Sequence, residues 1–92
     1  MKNKLHIEII TPEKLFYSGE CYLVNVPSIN GRVGFLPSHE NFICELSDGV
    51  VYLSDSINTN DKVLEKFQIS GGYAQVFNDR IEILTEEINS IK

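Results

Sequence analysis

A single alanine, Ala74, stands in this chain among eleven Ile, seven Val, three Thr and nine Phe or Tyr. Alanine is the strongest helix former, whereas β-branched and aromatic side chains are stiff in a helix and pack well on a pleated surface. A chain of this makeup is steered toward strands. The order of its residues agrees. Leu5, Ile7 and Ile9 alternate with Lys4, His6 and Glu8, the mark of a half-buried strand with one wet face. Tyr22, Val24 and Val26 repeat the alternation and stop at Pro27. Phe42, Cys44 and Leu46 alternate with Ile43 and Glu45, and Val50 and Tyr52 with Val51 and Leu53. Val63, Glu65, Phe67 and Ile69 follow, then Ala74 and Val76, then Ile81 and Ile83.

The punctuation is that of an antiparallel meander. Asn30-Gly31 and Asp48-Gly49 have the chemistry of type I′ hairpin turns, whose two central residues need φ > 0. Asn78-Asp79 is a weaker version, and Asn58-Thr59-Asn60-Asp61 reads as a longer polar loop. Short strands at this spacing predict an all-β antiparallel sandwich or barrel. The last residues differ. Leu84, Ile88 and Ile91 fall at i, i+4 and i+7, with Thr85 as N-cap and Glu86-Glu87 in a first turn, so the spacing predicts the start of a helix. The expected organisation is a β-sandwich domain over 1–85 and a short tail or helix stub over 86–92.

At 92 residues the chain supports one core and leaves little room for a deep catalytic cleft. No apolar run reaches the roughly 18 residues that cross a bilayer, and the start of the chain has no signal-peptide h-region, so a cytosolic protein, mature as written, is expected. Thirteen acidic against eight basic residues give a net charge of −5, which disfavours nucleic acid. Cys21 and Cys44 lack metal or redox spacing and read as two buried reduced thiols in preference to a disulfide.

A search for chemistry is almost empty. His6 and His39 are the only histidines, and neither sits at metal-ligand spacing. A Cys44–His39 pair lacks a third group to orient the base. Gly31-Arg32-Val33-Gly34 and Gly71-Gly72 are not followed by Lys-Ser or Lys-Thr or by a helix, so they read as tight turns or close backbone approaches and not as phosphate loops. No catalytic residue, metal or cofactor is expected. The stretch from Asn30 to Phe42 is the most distinctive, a shaped loop with Gly34, Pro37 and His39 leading into a strand. His39 there is either a structural hydrogen-bonder or a contact residue.

In that stretch Gly34-Phe35-Leu36-Pro37-Ser38-His39 resembles a motif of the epsilon subunit of F-type ATP synthases, called delta in mitochondria. Ile69-Ser70-Gly71-Gly72-Tyr73 with Val76 is similar to a second family motif. Leu5 to Pro12, with Phe16-Tyr17-Ser18-Gly19, resembles the family's opening strand and turn. The three occur in family order and spacing over residues 4–88.

The resemblance implies an antiparallel β-sandwich of about ten short strands. It implies a non-catalytic rotor component of the central stalk, held against the gamma subunit and seated on the polar loops of the c-ring. Such a protein is peripheral on the cytoplasmic face of a bacterial cell membrane, without inserting into it. Carried over by position, Thr11, His39 and Cys44 match places that face gamma, and Asn30 and Arg32 lie in a loop that approaches the c-ring. Gly34, Pro37, Gly71 and Gly72 shape the loops. Two features depart from the family. Arg32 stands where an acidic residue is common, which implies that the c-ring loop either carries a compensating acidic residue or lacks the usual arginine. The chain also ends at Lys92, where most bacterial members continue into two inhibitory helices. Two other readings set aside the resemblance: a free-standing β-sandwich that binds a small ligand or peptide, and a small Cys–His hydrolase.

Overall fold

The computed structural model describes residues 4–37, 40–55 and 63–91, and among them every regular element is a strand. There are eight: β1 Leu5–Ile10, β2 Leu15–Cys21, β3 Leu23–Ser28, β4 Gly31–Phe35, β5 Phe42–Ser54, β6 Val63–Phe77, β7 Arg80–Leu84 and β8 Ile88–Ile91. They form one hydrogen-bonded sheet in the order β2-β1-β7-β6-β5-β3-β4, with β8 also paired to β6. All pairs are antiparallel except β1 with β7.

The expected run of about ten short strands is met in a different way. Phe42–Leu46 and Val50–Leu53 belong to one strand of 13 residues, and Val63–Ile69 and Ala74–Val76 to one of 15. Each long strand serves both layers of a sandwich. Tyr73–Phe77 of β6 pairs with β7, while Lys66–Ile69 pairs with β8. The inward side chains change parity along the way. In β6 Phe67 and Ile69 are buried, then Ala74 and Val76; in β5 Leu46, then Val51 and Leu53. A strand of regular pleat keeps one parity per face, so the ribbon must break its pleat where the layers meet. That corner holds Asp48-Gly49 opposite Ser70 and Ile69, next to Gly71 and Gly72 at φ +95° and +128°.

Asp48-Gly49 is therefore not a hairpin turn. A Cβ on Gly49 would stand 2.9 Å from Pro27 Cβ, so its glycine serves a close approach at the corner. Asn30-Gly31 is also shifted. Ser28 pairs with Gly31, so the two loop residues are Ile29 and Asn30, and only Gly31 has positive φ (+116°). Asn78 and Asp79, at φ 50° and 60°, do form the expected turn. β3 continues through Pro27 to Ser28, because β5 bulges away there and the missing N–H interrupts no ladder bond. The polar loop at Asn58 to Asp61 lies outside the described residues.

The tail is a strand where a helix start was expected. Ile88–Ile91 pairs with Lys66–Ile69, and Ile88 packs on the core. Two turns of helix are too short to hold alone, whereas the open edge of β6 supplies ready backbone partners. Thr85 does not cap: its Oγ1 donates to the Glu87 carbonyl at 3.3 Å, and Ser70 N donates to the same carbonyl at 3.2 Å.

Between the layers lies one core. Leu5, Ile7 and Ile9 of β1 and Ile81 and Ile83 of β7 are fully buried, as their alternation predicts. Phe67 crosses from the second layer to meet Tyr17 and Phe16 of β2, at ring-centroid distances of 5.1 and 6.0 Å.

Candidate functional site

The strand register sets out the outer face of the first layer in rows. Leu15 lies beside Ile10, Ile10 beside Leu84, Leu84 beside Tyr73, and Tyr73 beside Glu45. Four apolar side chains from four strands thus form one transverse band on a wet face. Leu15, Tyr73 and Leu84 are 52%, 53% and 43% exposed. The next row, Ser18, Glu8, Glu82 and Gln75, is polar and ends at the exposed Ile43. Glu8 there forms an ion pair with Arg80 at 3.4 Å and meets His6 Nε2 at 3.3 Å. A continuous apolar band of this kind on a small domain marks an interaction surface.

The band opens at its Gly71-Gly72 end into a groove of about 440 Å³, lined by Ile10, Thr11, Gly71, Gly72, Tyr73 and Leu84. Glycine shapes it. A Cβ on Gly72 would fall 1.9 Å from the Leu84 carbonyl oxygen, so only a bare backbone lets β6 pass the end of β7. The far wall is fixed by Thr85 N donating to the Ile10 carbonyl at 3.0 Å. Thr11 closes a tight turn, exchanging backbone bonds with Lys14 at 2.9 and 3.3 Å while its hydroxyl donates to the Lys14 carbonyl at 3.2 Å.

Of the residues singled out in the sequence, Thr11, Gly71 and Gly72 come together at this groove. Cys44 lies on β5 opposite Ala74, half-buried and packed against the core. His39 lies outside the described residues. Asn30, Arg32, Gly34 and Pro37 belong to the β3–β4 end of the second layer. Asn30 is exposed in the turn, its N–H donating to Ser28 Oγ at 3.0 Å. Arg32 sits on β4 and not in a loop. Its Nε donates to Asn25 Oδ1 and one Nη to the Val50 carbonyl, both at 2.5 Å, and its guanidinium lies 5.1 Å from the Tyr52 ring centroid. Gly34 lacks positive φ; a Cβ there would approach Leu23 Cδ1 to 3.2 Å.

The band itself was missed by residue-type reasoning. Its trace in the sequence is adjacent apolar pairs, Ile9-Ile10, Ile83-Leu84 and Tyr73-Ala74, which place an apolar side chain on each face of a strand. Neither thiol is activated. Cys21 and Cys44 are both free, and burial pushes Cys21 up to about 12 and raises Cys44 as well. A nucleophilic cysteine needs the opposite shift.

Residues 4–91 match the family model described as ATP synthase, Delta/Epsilon chain, beta-sandwich domain. The ATP synthase epsilon chain of Chlorobaculum tepidum is 39% identical over 83 residues, covering 90% of both chains. That of Nitratidesulfovibrio vulgaris (strain DP4) is 37% identical over 86 residues, which span 94% of this chain and 60% of the relative. Among solved structures, a chain of the Euglena gracilis mitochondrial ATP synthase OSCP/F1/c-ring assembly has a TM-score of 0.82 at 19% identity, covering 95% of this chain and 53% of that one. A chain of the Tetrahymena thermophila mitochondrial ATP synthase central stalk and c-ring has a TM-score of 0.74 at 16% identity, covering 96% and 67%. At such identities these two establish a shared fold.

Proposed function

The chain belongs to the ATP synthase delta/epsilon chain beta-sandwich family, and on that premise we propose that it is a non-catalytic rotor subunit of a proton- or ion-driven ATP synthase. It clamps the gamma subunit to the c-ring, so that ring rotation turns gamma without slippage. The solved relatives in central-stalk and c-ring assemblies support this reading. The observation that carries it is the apolar band Leu15–Ile10–Leu84–Tyr73, a surface whose burial requires a partner. We assign that band, with Thr11 at its groove, to gamma, and the β3–β4 tip to the polar loops of the ring. Cys44 and His39 are assigned to the gamma side on the family pattern. The subunit is peripheral, on the cytoplasmic face of a bacterial membrane.

The mechanical task suits the construction. Two long strands run through both layers, so a force on one layer passes through covalent chain and ladder hydrogen bonds to the other. A close-packed β core deforms little under such a load.

The test is titration calorimetry of this chain against the gamma subunit of the same source. Binding at 1:1 with a negative heat-capacity change is expected, because apolar surface is buried. No binding by a folded chain would remove the rotor reading. The groove then favours the alternative of a ligand- or peptide-binding module, since its lining is apolar with a few polar groups.

A further inference from the structure

We propose that Arg32 is a positioning residue that braces the β3–β4 tip, its guanidinium fork engaged by β3 and β5 of its own chain instead of by an acidic group on the ring. The inference rests on the rotor reading for its functional consequence and on the sheet geometry for its cause. β3 pairs with β5 at Asn25↔Tyr52 and next at Ser28↔Leu46, so Ser47 to Val51 of β5 face only Val26 and Pro27 of β3. Five residues against two cannot form a ladder, and Pro27 has no N–H to donate. The hairpin is thus tied to β5 at two separated places with an unladdered bulge between them. One tie lies beside the tip, where Ile29 N donates to the Glu45 carbonyl at 3.2 Å.

Arg32 spans the gap. From β4 it reaches over β3, donating to the Asn25 side chain and, at 3.3 Å, to the Asn25 carbonyl, and on to the Val50 carbonyl inside the bulge. The Tyr52 ring supports the flat face of the guanidinium. A planar fork with donors on separate nitrogens serves two strands in this way, whereas an ammonium holds its three donors on one nitrogen and lacks that fixed spread. The brace fixes the angle of the tip, where Ile29 is 57% exposed and Asn30 is exposed. The tip therefore presents an apolar side chain and an amide.

The variants Arg32→Gln, Arg32→Lys and Asn25→Ala separate the brace from a ring ion pair. Hydrogen exchange of the free chain is expected to quicken about tenfold at the Val26 to Val33 amides in Arg32→Gln. Arg32→Lys should match it despite keeping the charge. Asn25→Ala should give a smaller increase, and the Asn25→Ala/Arg32→Gln double variant no more than Arg32→Gln alone. In the assembled enzyme, Arg32→Gln and Arg32→Lys should both lower ions pumped per ATP hydrolysed, equally at low and high salt. Unchanged exchange in all variants, or full rescue of coupling by Arg32→Lys with loss of the effect at high salt, would overturn the brace. Failure of the wild-type chain to join the enzyme would instead remove the rotor reading, with the exchange data still deciding the brace.

Discussion

Gly72→Ala isolates the contact on which the corner and the groove both depend. An added Cβ would sit 1.9 Å from the Leu84 carbonyl oxygen, 3.0 Å from its carbon and 3.1 Å from Thr85 Cα, all backbone atoms that no rotamer can move. Restoring ordinary contact requires β6 and β7 to part by about 1.5 Å, enough to break hydrogen bonds at the Tyr73–Leu84 pair. Overpacking of this kind costs about 1–3 kcal/mol, and holding alanine at φ +128° adds about 1–3 kcal/mol. The sum, centred near 4 kcal/mol, is a large part of the roughly 5–14 kcal/mol that stabilises a domain of this size. Thermal unfolding followed by far-ultraviolet circular dichroism should show the midpoint lowered by about 16–32 °C. Gly31→Ala is the matched control. It shares a positive φ (+116°) but has nothing within 4 Å, so it should lose only the backbone contribution. Gly34→Ala, without positive φ and facing a movable Leu23 terminus, should change stability by less than about 1 kcal/mol. Equal losses in Gly72→Ala and Gly31→Ala would refute the steric argument.

Phe67→Ala should cost about 3–5 kcal/mol by chemical denaturation, because the ring is 1% exposed and carries the contact between layers through Phe16 and Tyr17. Alkaline pH should destabilise the fold. The Cys21 thiol is held neutral up to about 12 in the folded chain but ionises near 9 when unfolded, so the folded state holds the extra proton between these values. Stability is then full below pH 9 and falls through pH 9–12 by up to about 1.4 kcal/mol per pH unit, and Cys21→Ala should flatten the slope in denaturation titrations. Tyr73→Asp or Leu84→Asp should weaken gamma binding at least about tenfold in calorimetry with melting unchanged, since both side chains project from the outer face.

Much of the fold was legible because it rests on local periodicity. Leu5, Ile7 and Ile9, or Ile81 and Ile83, announce their inward face by alternation alone, and Asn78-Asp79 announces its turn by backbone preference. The same local logic misplaced Asp48-Gly49, Asn30-Gly31 and the tail. Glycine next to aspartate permits a hairpin, but Gly49 is required by the approach of Pro27, a residue 22 positions earlier in the chain. The i, i+4, i+7 spacing of Leu84, Ile88 and Ile91 fits a helix until β6 presents an unpaired edge.

Composition and alternation by themselves settled that the chain is all-β, the inward residues of β1, β3 and β7, and, through ordered motifs, its family. Only the tertiary structure decided that four apolar side chains from four strands form one band, and that Arg32 reaches across β3 to β5. The reason is physical. Inward or outward facing is a property of one strand and its period of two, whereas a surface band or a brace depends on the register between strands, which long-range pairing sets.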